Sequence, residues 1–119
     1  MTGSDDPARE VPAALAQELS QVRARMRAMT ADMEALVAAS QDSNADDEHD
    51  PEGPTIAYER SQLASLLDQG RAHLQQVESA VARVVEGTYG TCVVCGEPIP
   101  ADRLEARPSA RTCVRHAVT

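Results

Sequence analysis

Two apolar stripes constrain this chain more than any other feature. Leu15, Leu19, Val22, Met26, Met29, Met33 and Leu36 follow one another at alternating intervals of four and three residues. Leu63, Leu67, Gly70, Leu74, Val77, Val81 and Val84 repeat the same rhythm, and Ile56 extends it upstream by one heptad. A 4-3 repeat places its members along one side of an α-helix and forms the seam of a coiled coil. If the two stripes pack antiparallel, the numbers of facing residues keep a constant sum. Leu36 then faces Leu63, Met29 faces Gly70 and Leu15 faces Val84, and each pair adds to 99. Half of that sum falls at His49 and Asp50, which become the tip of the hairpin. A small residue opposite a long flexible one, Gly70 against Met29, is sensible packing.

Composition supports a narrow helical rod over a globule. The chain has 119 residues, no Phe, no Trp and two Tyr, so a wide core is hard to fill. Each helix of about 30 residues would be about 45 Å long. Helix 1 is expected from Pro12 to a point between Ala39 and Asp46. Helix 2 is expected to start after Gly53-Pro54, with Thr55 as its cap, and to end at Gly87. The predicted organisation is a flexible N-terminus over 1–11, a coiled-coil hairpin over 12–87 with its tip at about 42–54, and a small module over 88–119.

All three cysteines sit in that module. Cys92-x-x-Cys95 and Cys113-x-x-His116 are separated by 17 residues. Zinc prefers four nitrogen or sulfur ligands in a tetrahedron, and two residues between ligands let one tight turn present both. Gly96 suits the sharp turn after the second cysteine. The insert between the pairs holds Pro98, Pro100 and Pro108 and reads as a stiff loop, and the last pair as the start of a short helix through Ala117. Three thiolates and one imidazole complete a closed site for one zinc ion, structural and not catalytic because no position is left for water. Reduced thiols or a disulfide are the alternatives. A metal also supplies the staple that a small, aromatic-poor chain needs. His73, beside Leu74 and without a partner at metal spacing, reads as a surface residue, and His49 as an exposed loop residue.

The net charge is -8, and it is uneven. Residues 1–60 hold thirteen acids against five arginines, whereas 61–119 hold six against six, and there is no lysine. An acidic chain without stacking aromatics is a poor direct ligand for DNA or RNA. The acids crowd at the predicted tip: Asp46, Asp47, Glu48, Asp50 and Glu52. They read either as a solvated linker or as carboxylates that a rod delivers into a narrow channel. Arg23, Arg25 and Arg27 read as a solvated helix face or a docking contact. The opening MTGSDDPARE lacks a signal-peptide pattern, no run approaches a membrane span, and an odd cysteine count does not suit a secreted disulfide framework. A cytoplasmic monomer is expected, with no membrane contact.

The stretch YGTCVVCGEPIPADRLEARPSARTC, behind such a hairpin, resembles the TraR/DksA zinc-finger family of bacterial transcription regulators, with Arg103–Pro108 its most telling part. The resemblance covers about residues 12–119 in architecture and is close in sequence over 87–116. It implies a non-enzymatic regulator that binds RNA polymerase through its secondary channel, bringing an acidic coiled-coil tip near the catalytic centre. The family's tip motif, Asp-x-x-Asp-x-Ala, is matched by Asp47 and Asp50, with Glu52 in place of the alanine. Asp47, Glu48, Asp50 and Glu52 are the implied tip contacts, and Arg103 and Arg107 the implied contacts on the zinc-finger side. His116 stands where the family more often has a cysteine. Some members respond to guanosine tetraphosphate through basic residues. Arg107 is kept, but Gln76 and Ala117 stand at the other two positions. Two alternatives remain: a zinc-bearing coiled-coil adaptor for another protein, and a Gre-like factor whose acids hold a second magnesium for transcript cleavage.

Overall fold

The computed structural model describes residues 10–46 and 53–117. Among them, α1 (Ala13–Asp46) and α2 (Gly53–Glu86) are followed by a short α3 (Ala101–Ala106) and a 3-10 turn over Val114–His116. No strand forms among the described residues, although an isolated antiparallel bridge joins Thr91 and Pro98. The chain divides into two compact units. One combines the residues up to Gln21 with those from Leu74 onward, and the other spans Val22–His73. In each unit an early part of one long helix meets a late part of the other, which is the antiparallel hairpin of a mainly helical fold.

The helix ends follow from local chemistry. The Pro12 carbonyl accepts the Ala16 N–H at 2.9 Å, and proline needs no partner for an N–H it lacks. α2 begins at Gly53 and not after Pro54, so Thr55 lies inside the first turn and is no cap. Proline's fixed φ is already helical, so Pro54 joins that first turn. At its other end α2 closes on a left-handed glycine, Gly87 at φ 84°. The Gly87 N–H donates to Val84 O at 3.1 Å, and the Thr88 N–H to Arg83 O at 2.9 Å. These are the two bonds of a Schellman cap, which satisfy carbonyls the helix leaves open.

The 4-3 stripes are the covered sides of both helices. In the first unit Leu15, Val77, Ala80 and Val84 are fully buried. Each leucine or valine hidden in this way contributes about 1.5–3 kcal/mol. In the Val22–His73 unit Val22 and Leu67 are buried. Met26, Met29, Met33, Leu36, Ile56 and Leu63 are half-buried. A Cβ built on Gly70 would collide with Met26 Sδ and meet Met29 Cε at 3.3 Å. The glycine therefore receives the ends of two methionines, Met29 as its facing number requires and Met26 even more closely.

Outside the stripes, Arg23, Arg25 and Arg27 are exposed. So are Tyr58, whose hydroxyl accepts from Gln62 Nε2 at 2.7 Å, and Leu66. His73 is half-buried and engaged with a neighbour, not a free surface residue. It sits three residues after Gly70 and so flanks the covered side of the helix. Among the described residues, no helix is long and apolar enough to cross a membrane. Asp47, Glu48, His49, Asp50 and Glu52 lie outside the described residues.

Candidate metal centre

The module after α2 is built by backbone hydrogen bonds around very few apolar side chains. Cys92, Ile99 and Cys113 form its core, with Leu104 packed against them. The first knuckle turns on Gly96 at φ 77°, a left-handed conformation that disfavours side chains, and the Gly96 N–H donates to Cys92 O at 2.9 Å. The chain then doubles back: the Cys92 N–H bonds Glu97 O at 2.8 Å and the Ile99 N–H bonds Gly90 O at 2.7 Å. The second knuckle is the 3-10 turn, closed by the His116 N–H on Cys113 O at 3.1 Å. The Val93 N–H donates to Arg111 O at 2.9 Å and so lays the two knuckles side by side.

The insert between the knuckles is not a plain stiff loop. Pro100 caps α3, whose six residues Ala-Asp-Arg-Leu-Glu-Ala form helix readily, with Asp102 in the first turn where the dipole favours an acid. The helix places Leu104 on the core, where its Cδ1 would meet a Cβ on Gly90 at 3.5 Å. It also places Arg103, whose Nε donates to Thr112 O at 2.8 Å and braces the segment leading into Cys113. Arg107, at the end of α3, is exposed.

These turns bring Cys92, Cys95, Cys113 and His116 together, with all ligand atoms within 4.8 Å of one another. Cys92 Sγ lies 3.8 Å and Cys113 Sγ 3.2 Å from His116 Nδ1, and Cys95 Sγ lies 3.9 Å from Cys113 Sγ. A tetrahedron with zinc–sulfur bonds of about 2.3 Å has sulfur–sulfur edges of about 3.8 Å, and slightly shorter sulfur–nitrogen edges. The spacing fits such a site, and the sulfurs stand far beyond disulfide bonding distance. The donor chemistry and the geometry suit one zinc ion, which the four side chains could hold through Nδ1 of the histidine. No fifth position is needed, so the centre ties the two knuckles together and offers no open site for reacting groups.

The titration of the cluster reflects the same crowding. Burial pushes the Cys92 thiol up, but the backbone N–H groups of Cys113, Cys95 and Val94 outweigh it and bring the group down to about 6. Contact with His116 lowers Cys113 and correspondingly raises His116. The Glu97 N–H draws Cys95 down, yet burial and the neighbouring Cys92 and Cys113 raise it overall.

One feature was not anticipated from sequence. Arg83, on α2, is 9% exposed. Its Nη1 bonds Ser79 Oγ at 3.0 Å, while Nε and Nη2 are buried without hydrogen-bond partners. Burial, and then Arg111, lower its pKa. Tyr89 packs nearby; its hydroxyl donates to Pro108 O at 2.7 Å, and burial raises its pKa. Tyr89 thus pins the insert to the chain that leaves α2, and both Tyr89 and Arg111 lie close enough to Arg83 to act on its charge. The available signal was an aromatic two residues after a helix-ending glycine in a chain with only two aromatics.

Comparison with known proteins adds the family context. Residues 87–115 match the model of the prokaryotic DksA/TraR C4-type zinc finger. The match ends one residue before His116. The chain is 33% identical to general stress protein 16O of Bacillus subtilis over 98 residues, covering 82% of this chain and 56% of that protein. It is 45% identical over 47 residues to the RNA polymerase-binding transcription factor DksA of Caulobacter vibrioides, covering 40% of this chain and 33% of that one. The solved structure of transcription factor DksA2 from Pseudomonas aeruginosa superposes with a TM-score of 0.58 at 22% identity, over 94% of this chain and 87% of that one. That likeness concerns the fold. The chain spans from 31% to 56% of the lengths of the first two curated relatives it matches.

Proposed function

This chain belongs to the TraR/DksA zinc-finger family, and on that premise we propose that it is a bacterial transcription regulator that binds RNA polymerase. In this reading Cys92, Cys95, Cys113 and His116 ligate one structural zinc ion. The zinc module, residues 88–119, stands at the base of a hairpin formed by 12–87. The hairpin enters the secondary channel, and Asp47, Glu48, Asp50 and Glu52 act near the catalytic centre. No chemical step is assigned to the chain itself: the carboxylates act by charge on the polymerase's own cation or basic side chains. On the zinc-finger side Arg107 faces solvent and is free to reach the partner. Arg103 supports the module from within through its bond to Thr112.

The observation that carries this reading is the 45% identity to an RNA polymerase-binding factor, which falls on a chain whose fold is DksA-like over 94% of its length. The test is binding of the zinc-loaded chain to purified RNA polymerase core, with a Gre factor as competitor. Displaceable binding is expected, with Asp47→Asn and Asp50→Asn keeping the binding and losing the effect on transcription. No binding at micromolar concentration, with zinc bound, would sink the proposal and favour an adaptor for another protein. Transcript cleavage in stalled complexes would favour the Gre-like alternative.

A further inference from the structure

Gly70 is a glycine without a backbone reason. Gly87, Gly90 and Gly96 take positive φ, and Gly70 does not. It lies in the interior of α2, where glycine is the poorest helix former after proline. It also holds a seam position, where leucine would cover more surface. Sulfur takes the place of that side chain. Met26 Sδ fills the volume that a Cβ would need, with Met26 Cε at 3.7 Å and Met29 Cε at 3.3 Å from the same point. Met26, Met29 and Met33 occupy three consecutive seam positions of α1 and are three of the four methionines in the chain. Glycine and methionine depart together from a leucine pair, and no local demand explains the departure. A function of the thioethers is the physical explanation.

All three methionines are half-buried, so a small reagent can reach them in the folded chain. A thioether reacts with a peroxide in one two-electron step. The sulfur lone pair attacks a peroxide oxygen, the S–O bond forms as the O–O bond breaks, and the other oxygen leaves with both protons as water. Sulfur is oxidised and the peroxide reduced, and the product is a polar sulfoxide. The seam offers that oxygen no donor. Val22, Leu63 and Leu67 carry none, and the N–H groups around Gly70 are spent on the ladder of α2. Burying an unpaired polar group is unfavourable. At Met26 the oxygen also lacks room, because the sulfur already fills the notch.

We propose that Met26 and Met29 form an oxidation site: a peroxide converts them to sulfoxides, which leave the Gly70 notch and loosen the Val22–His73 seam. A methionine sulfoxide reductase, spending a dithiol and releasing the oxygen as water, restores it. The site belongs to the Val22–His73 unit, and the thiols of the metal centre belong to the other. Among the described residues of that unit only Val22 and Leu67 are fully covered, so the methionines supply much of what remains of its packing.

The test exposes the zinc-loaded protein to hydrogen peroxide. Peptide mass spectrometry follows each methionine, and hydrogen exchange and zinc content follow the two units. Met26 and Met29 should each gain one oxygen, at rates within about a hundredfold of those in the urea-unfolded chain. Amide protection across 22–73 should then fall about tenfold or more and return after reductase treatment. Met26→Leu/Met29→Leu keeps the seam volume and should keep its protection through the same exposure. Any zinc released by thiol oxidation is equal in both proteins and so is separated from the methionine effect. Gly70→Ala forces the Met26 sulfur out of the notch and should speed its oxidation relative to Met33 in the same molecule. Oxidation slower than the hundredfold limit overturns the proposal. So does sulfoxide formation that leaves protection unchanged, or an equal loss of protection in the double leucine variant. An unchanged ratio of Met26 to Met33 in Gly70→Ala also overturns it, since the notch would then not hold the sulfur.

Discussion

The zinc-finger module and the Val22–His73 unit are ordered by different means. The module buries Cys92, Ile99 and Cys113 and little else, and holds its chain with backbone hydrogen bonds and a four-donor cluster. The Val22–His73 unit has no such cluster among its described residues. It relies on a side-chain seam in which Val22 and Leu67 are buried and three methionines are half-buried. A module with so small a core depends on its metal, because backbone hydrogen bonds alone contribute little net stability. A long helix pair loses stability in increments, residue by residue.

Removing the metal should expose that difference most. Chelation, or Cys113→Ser, is expected to abolish amide protection across 88–117 while most of the far-UV helical signal from α1 and α2 remains. Hydrogen exchange read by mass spectrometry checks this directly. Loss of helix signal in parallel with the finger would show that the two regions fold as one and would break the comparison. Acid should act in the same direction. Zinc binds thiolates and neutral imidazole, so protons compete with it. Cys95, with its raised pKa, still holds a proton at neutral pH and must release it. One displaced proton weakens binding about tenfold for each unit of acidification. Below about 6 the Cys92 thiolate also takes a proton, and the dependence steepens. His116 adds to this, since its raised pKa means that it protonates early as pH falls. Competition with a chromophoric chelator across pH 5–8 measures the slope, and a flat profile would contradict the donor set.

Core truncations come next in size. Leu15→Ala removes a fully buried side chain and should cost about 3 kcal/mol, within the usual range for buried leucine. Met33→Ala removes a half-buried one and should cost less than half as much. Thermal or urea unfolding of the zinc-loaded protein decides between them. Equal losses would mean that the Val22–His73 seam is packed as tightly as the Leu15–Val84 layer.

What the sequence disclosed and what it withheld follow the same division. The seam was legible because helical periodicity is local arithmetic, and Gly70 opposite Met29 followed from a constant sum. The closer approach of Met26 was not, since the rotamer of a long unbranched side chain is settled by tertiary packing and not by helical periodicity. The convergence of Cys92, Cys95, Cys113 and His116 was readable from ligand spacing. α3 was hidden by the prolines around it, although Pro100 followed by strong helix formers was a usable signal. Buried Arg83 could not be read at all. Its position marks a helix flank, and its burial is a tertiary effect with no periodic trace.

The smallest expected effect sharpens the comparison most, because two terms of similar size oppose each other. Gly70→Ala gains about 1 kcal/mol of helix propensity. The new Cβ collides with Met26 Sδ and crowds Met29 Cε, and both are the free ends of flexible side chains. Turning them aside costs about 0.5–1.5 kcal/mol if they leave their rotamer wells. The net should lie near zero, a change in Tm within about 4 °C. Gly70→Leu adds more atoms than two thioether ends can accommodate and should cost about 1–3 kcal/mol by overpacking. Met26→Ala makes room at the same level, so Gly70→Leu should be milder in that background, and a double-mutant cycle reads the coupling. A loss above 8 °C for Gly70→Ala would mean that the methionines cannot move. The Val22–His73 seam would then be rigid and sharply specified, and the contrast with the zinc module would lie in chemistry alone and no longer in how firmly each is packed.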